Sequence, residues 1–370
     1  MEDPTTTSDT VLGRDSSTGQ EVRINADARS RSVYVIGITG TGKSTLLEQI
    51  AHQDILRADG LCFLDPHGDS AEKLLAAIPQ ARRDDVIYWD PADAAATSPD
   101  KQRFFGLNPF WCASPTNPQA VDRTADYFLA ALRNLAVFAE AFANAPLMTN
   151  MLRQLAIAFV VNPGMTLVEA PTFLEDAAFR RRFYPALTRT HPQVRQFWER
   201  FDAKPPRQRQ EETASSLNKL YPFQTTDLMR MTFGQTVTAV DLRRVMDERR
   251  ILIVKLSEAD LGPDTAGIIG AFLVFGILQA ALSRGNQPPA ERRQFHLIAD
   301  EFQTFMTTAF PQLQEQARKF GVDSVIAHQS REQLDENLRE RTRAVQNLVI
   351  FRVTGPNAMA LANEFDRTPR

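Results

Sequence analysis

The sequence predicts an α/β protein: a mostly parallel sheet with an all-α domain inserted into it. Three observations lead there. Seven short runs (Val33–Ile36, 61–64, Val86–Trp89, 251–256, Phe295–Ala299, 324–327 and 348–353) are apolar almost throughout instead of alternating, as in strands covered on both faces. Segments with helical spacing separate several of these runs, as βαβ units require. Between about residues 116 and 245 no such run occurs, and the chain reads as helices rich in Ala, Leu and Phe.

The 370 residues, 43% of them hydrophobic, can bury a sizeable core. A charged fraction of 24%, with 17 Gly and 22 Pro, excludes disordered and fibrous classes. Two cysteines, Cys62 and Cys112, are too few for a disulfide framework and show no zinc spacing, so a reducing, cytoplasmic location is expected. The net charge of −3 gives no global sign of a nucleic-acid partner, which would have to be met locally.

Taken in order, residues 1–30 are a polar segment with one weak strand pattern at Glu21–Ile24 and no apolar stretch of the kind found in leader peptides. Val33–Ile36 then feeds into GITGTGKST, and Leu46, Leu47, Ile50 and Ile55 mark the apolar side of a helix starting at Ser44. The runs at 61–64 and Val86–Trp89 both end in Asp-Pro pairs, Asp65-Pro66 and Asp90-Pro91. Cys62 is a strand core residue. His67, in Asp65-Pro66-His67-Gly68-Asp69, is read as part of a turn, with a link between phosphate and substrate as the alternative. The uninterrupted apolar part of 266–282, about 13 residues and lightened by glycines, is short of the roughly 20 needed to span a bilayer, so a buried helix is expected. The resulting division is 1–30, an α/β domain at 31–115 and 246–370, and an all-α insertion at 116–245.

Gly37-Ile38-Thr39-Gly40-Thr41-Gly42-Lys43-Ser44 matches G-x-x-x-x-G-K-[ST] in full, between a strand and a helix. The glycines let backbone N–H groups curl around a phosphate at a helix N-terminus. Gly37, Thr39, Gly40, Thr41, Gly42, Lys43, Ser44 and Thr45 are therefore the expected nucleotide-binding residues, with Lys43 on the β- and γ-phosphates and Ser44 on Mg²⁺. Hydrolysis further needs an acid to order the metal and a base to activate water. Asp300 and Glu301, at the end of Phe295–Ala299, supply both, Asp300 on the Mg²⁺ shell and Glu301 as general base. Gln329, ending a further strand, is placed to sense the γ-phosphate.

The blocks VYVIGITGTGKSTLLEQIAHQDI, GLCFLDPHGD, RILIVKLSEADLG, FHLIADEFQTF, EQARKFGVDSVIAHQS and NLVIFRV run in this order across about residues 11 to 365. They resemble the ATPases of the HerA/FtsK superfamily, and within it most the conjugative DNA-transfer coupling ATPases of type IV secretion. The resemblance implies a RecA-like P-loop NTPase core, ATP and Mg²⁺ as ligands, and a hexameric ring that pumps DNA through its channel. It also implies an arginine finger reaching a neighbouring subunit. Arg318, in the helix-like QEQARKFG, matches that position, and Arg352, in a later strand, is the second choice. Coupling proteins usually begin with transmembrane helices and extend past the Phe365 region. The expectation here is no direct anchoring, with recruitment to the inner face of the membrane through secretion or relaxase partners.

Residues 180–209 carry nine Lys/Arg (Arg180, Arg181, Arg182, Arg189, Arg195, Arg200, Lys204, Arg207, Arg209) against Glu199 and Asp202, interleaved with Phe183, Tyr184, Phe197, Trp198 and Phe201. Such a stretch suits a groove for phosphates and exposed bases; equally, it suits a solvated helical face with its aromatics in the core. The functional expectation is an ATP-driven DNA translocase. The alternatives are a secretion ATPase acting on proteins and a nucleotide-gated ring that recruits an effector.

Overall fold

The computed structural model describes residues 9–93, 106–133, 142, 144–238, 240–305, 313, 315–334, 336–343 and 345–365. Nine strands follow in chain order: β1 (Thr10–Arg14), β2 (Glu21–Ile24), β3 (Val33–Ile36), β4 (Gly60–Asp65), β5 (Val86–Trp89), β6 (Ile251–Lys255), β7 (Phe295–Ala299), β8 (Val322–His328) and β9 (Asn347–Ile350). The last seven form one sheet, β5-β6-β4-β7-β8-β3-β9, in which every pairing is parallel. The P-loop strand β3 and the strands preceding Asp300 and Gln329 are neighbours or next neighbours in this sheet, so their C-terminal ends share one edge.

The strands β3, β4, β7 and β8 are buried throughout, whereas the outermost, β5 and β9, are half-buried, which is why the central runs read as continuously apolar. Helix Lys43–Leu56 lays Leu46, Leu47, Ile50 and Ile55 onto Val33, Val35, Leu61 and Phe63. Each such side chain contributes about 2 kcal/mol by leaving water. Helix Asp69–Ala76 is started by Asp65, whose carboxylate accepts from the N–H groups of His67 and Ala71, both at 2.9 Å. His67 is thus a turn residue with an exposed side chain. The N-terminal segment is an antiparallel hairpin, β1 with β2, of which only β2 showed in the sequence.

The chain divides into two compact units. One comprises Met1–Asp90, Leu242–Ala266 and Ile277–Arg370, the other Pro91–Asp241 and Gly267–Gly276. The second unit thus takes in residues 91–115, and one stretch of the apolar helix, that the sequence assigned to the α/β domain. Its described secondary structure is helical, and helices Pro146–Val160, Pro192–Asp202 and Pro206–Leu220 each open on a proline, where the missing N–H costs nothing. Phe272 lies among Phe128, Phe223 and Phe233 with ring centroids 5.1–6.1 Å away. The apolar helix Pro263–Ser283 is longer than expected, because its glycines do not interrupt it. It is long and apolar enough to cross a membrane, but 78% of its most apolar window is buried inside the protein.

At the N-terminal edge of the sheet, charged side chains are buried together. Arg29 donates to Asp54 at 3.0 Å and lies 3.6 Å from Asp323, and His296 Nδ1 lies 2.9 Å from Asp323. His296 Nε2 faces Asp54 Oδ1 at 3.9 Å and Asp59 Oδ2 at 3.7 Å. These are the oxygens that Arg57 also pairs with, so guanidinium groups already supply the cations here. The cluster ties together the P-loop helix, β7, β8 and the short helix Ala26–Arg29 that precedes β3.

Candidate nucleotide site

The P-loop leaves β3 at Ile36 and re-enters helix at Lys43. Gly40 (φ 78°) and Gly42 (φ 103°) adopt left-handed conformations that favour glycine. Gly37 is constrained differently: a Cβ there would come within 2.5 Å of the Phe351 Cβ. The Ile38 N–H donates to the Arg352 carbonyl at 2.9 Å and the Thr41 hydroxyl to the Ile38 carbonyl at 2.7 Å, which fixes the loop's curvature. Lys43 is buried, with Nζ 3.5 Å from the Ile38 carbonyl, while Thr39, Gly40 and Thr45 are exposed.

The Asp300 N–H donates to the Leu64 carbonyl at 3.2 Å, which places Asp300 just past the β4–β7 ladder. There the Ser44 hydroxyl donates to Asp300 Oδ2 at 2.5 Å. Burial pushes the Asp300 carboxyl above its ordinary range, and the Glu301 charge adds to this against the Ser44 hydrogen bond. Two oxygens converging from a helix N-terminus and a strand end, one on a buried carboxylate, have the chemistry to hold a hard, oxygen-seeking Mg²⁺ ion.

Glu301 has a left-handed backbone (φ 41°), a cost of about 1–2 kcal/mol for a residue with a side chain. Its N–H donates to Asp300 Oδ1 at 3.0 Å, and its carboxylate is held from two sides. Gln329 Nε2 donates to Oε1 and Gln303 Nε2 donates to Oε2, both at 2.9 Å. Gln303 was not singled out by the sequence; a polar residue two positions after the acid pair was the only signal. Behind them, Tyr34, Phe302 and His328 form a buried aromatic layer. Burial pulls the His328 pKa down to about 3, with the charges of Arg331 and Lys43 adding to this, so its ring is neutral.

The structure therefore brings the P-loop, Asp300, Glu301 and Gln329 to one sheet edge. It does not bring Arg318 there. That residue is in a short 3₁₀ turn, Ala317–Phe320, preceding β8, where it lies 3.5 Å from Asp27 at the opposite edge. Within one chain it cannot meet the P-loop. Arg352 is not in a strand, because β9 ends at Ile350; its side chain is exposed and its carbonyl is on the P-loop.

The basic stretch is also resolved in part. Phe183, Trp198 and Phe201 are buried, and the Arg180 guanidinium is enclosed with them, 5.0 Å from the Phe201 ring and paired with Asp202. Arg195, Lys204 and Arg207 pair with Glu199, Glu212 and Glu211. These three aromatics are core residues and unavailable for stacking on bases.

No protein-family model matches the chain. Over 377 residues it is 21% identical to the type 4 coupling protein DotL of Legionella pneumophila, covering 86% of this chain and 46% of that protein. The chain thus spans about half the length of the curated relative it matches. Among solved structures, the bacterial conjugative coupling protein TrwB, in a trigonal form with sulphate, aligns with a TM-score of 0.64 and 21% identity, covering 93% of this chain and 73% of that one. TrwB in complex with ADP and Mg²⁺ gives 0.60 and 21%, covering 91% and 73%. VirB4 of Thermoanaerobacter pseudethanolicus gives 0.61 and 12%, covering 98% and 88%. The resemblance to type IV coupling proteins is found in both sequence and fold, and the chain has the α/β fold of these solved structures, built on a parallel sheet with a P-loop after one of its central strands.

Proposed function

We propose that the chain is an ATP-hydrolysing type IV secretion coupling ATPase that works as a hexameric ring and moves DNA. The observation that carries the hydrolytic part is the convergence of Ser44 with Asp300, and of Glu301 with Gln329, at the sheet edge where the P-loop lies. Backbone N–H groups of the loop and Lys43 bind the phosphates. Ser44 and Asp300 would hold Mg²⁺, which would supply positive charge to the β- and γ-phosphates. Glu301 accepts a proton from the attacking water, and Gln329 links that carboxylate to β8. Arg318, remote from its own P-loop, suits a finger offered to the neighbouring subunit, which would make the ring the catalytic unit.

DNA as substrate is supported by the likeness to coupling proteins, and recruitment to the inner membrane through secretion or relaxase partners rests on the same likeness. The experiment is an ATPase assay with and without DNA, beside mass measurement of the assembly with and without nucleotide. Lys43→Ala and Glu301→Gln are expected to abolish turnover. A hydrolysis rate indifferent to DNA of any length overturns the motor.

One observation favours a second reading. With Phe183, Trp198 and Phe201 in the core, the one local nucleic-acid signal in the sequence is weakened. A secretion ATPase acting on protein substrates accommodates this, and binding of protein partners without DNA affinity would favour it.

A further inference from the structure

Glu301 is held by two amides that differ in how they are attached. Gln329 follows β8, 28 residues away in sequence, so its bond to Oε1 changes whenever the end of β8 shifts relative to β7. Gln303 belongs to the 3₁₀ turn Phe302–Thr304 that begins directly after Glu301, and the Thr304 N–H donates to the Glu301 carbonyl at 3.0 Å. Its bond to Oε2 therefore travels with Glu301. The turn is anchored beneath by Phe302, which is fully buried against Tyr34 and His328.

Resting on the hydrolytic reading above, we propose that Gln303 is a positioning residue for Glu301: the permanent half of a clamp whose releasable half is Gln329. While both amides donate, each oxygen of the carboxylate is engaged and the base is held back from water. When the γ-phosphate draws Gln329 away, Oε1 is freed, and Gln303 keeps the carboxylate from swinging out of line. The water oxygen then bonds to the γ-phosphorus, the bond from that phosphorus to the β,γ-bridging oxygen breaks with its electron pair going to ADP, and the water proton goes to Glu301 Oε1. A carboxylate fixed through one oxygen and free at the other is oriented without being blocked. The strained backbone at Glu301 points the same way, since a left-handed residue persists only where its surroundings hold it.

The test uses Gln303→Leu, of similar size without the donor, and Gln303→Glu, which sets a like charge beside Glu301. Steady-state kcat and KM and the binding of a fluorescent ATP analogue are measured for each against wild type. The expected result for Gln303→Leu is a kcat about tenfold lower with nucleotide affinity within about twofold of wild type. Gln303→Glu, with its like charge beside Glu301, lowers kcat at least as far, again with nucleotide affinity within about twofold of wild type. Gln303→Asn, which keeps a shorter donor, recovers part of the loss. A residue that only packs the turn would lower stability and leave the kcat of the folded protein in place, so an unchanged kcat in both variants overturns the proposal, as does a loss of nucleotide affinity as large as the loss of kcat. If a variant fails to fold, the other two still give kcat against affinity. A wild-type chain that binds nucleotide but never hydrolyses it refutes the hydrolytic reading instead, a result separate from any difference among the Gln303 variants.

Discussion

His296 sets a pH dependence of stability whose sign and window follow from its surroundings. Burial alone would strip its proton, but the facing carboxylates of Asp323 and Asp54 outweigh burial and lift its pKa to about 10. Burial likewise opposes charge on Asp323, yet His296 and Arg29 hold its carboxyl below the ordinary range. Because the folded pKa of His296 lies above the ordinary 6.5, its contribution is complete below pH 6.5 and is lost as pH rises through about 10. Between those limits stability falls as pH rises, by roughly 1 kcal/mol per pH unit. The other shifted histidines leave this window clear. Burial lowers the pKa of His191 and His328, so their contributions grow as pH rises toward 6.5 and are level above pH 7. The buried Cys62 thiol, raised by burial, adds to the decline only above its ordinary value of 9.0. The assay is urea unfolding at pH 7, 8 and 9, followed by hydrogen exchange of peptides spanning β7 and β8 and corrected for intrinsic exchange. Wild type should lose stability across the series, and His296→Gln, destabilised at pH 7, should show a slope close to zero. Equal slopes in the two proteins would refute the account of the cluster.

Gly37→Ala should weaken nucleotide binding about tenfold, because its Cβ would meet the Phe351 Cβ at 2.5 Å and the loop must shift at a cost of about 1–3 kcal/mol; Phe351→Ala in the same chain should restore part of the affinity, read by titration with a fluorescent ATP analogue. On the proposed site, Ser44→Ala and Asp300→Asn should each abolish the Mg²⁺ dependence of nucleotide binding, because their two oxygens, 2.5 Å apart, would then no longer both be there to hold the ion; calorimetric titration with and without Mg²⁺ checks this. Arg180→Ala should cost about 3–5 kcal/mol in thermal stability by leaving Asp202 without its buried partner, with the response of ATP turnover to DNA unchanged in the folded fraction.

The sheet was largely legible because its inner strands are covered on both faces and therefore apolar at nearly every position. The half-buried β9 was overextended to residue 353, and β1 was missed because TVLGR mixes polar and apolar residues in a two-stranded hairpin. The P-loop and the Asp300–Glu301 pair were legible because each is contiguous and ends a strand. Gln303 was not, since its contact with Glu301 depends on a 3₁₀ turn that folds its side chain back onto the preceding acid. The interleaved aromatics at 180–209 follow a helical core pattern. Val194, Trp198 and Phe201 fall at i, i+4 and i+7 of one helix, the spacing of a core face, and all three are buried. Arg318 illustrates a different limit: sequence order places it between Asp300 and Gln329, but a parallel sheet returns the chain to its opposite edge between one strand and the next.

The most direct test of the account is the rate of ATP hydrolysis by the purified chain across a DNA titration, with Glu301→Gln run alongside. The account predicts Mg²⁺-dependent turnover that rises several-fold as DNA is added and vanishes in Glu301→Gln while nucleotide still binds. Turnover that ignores DNA, or that survives in Glu301→Gln, would contradict it.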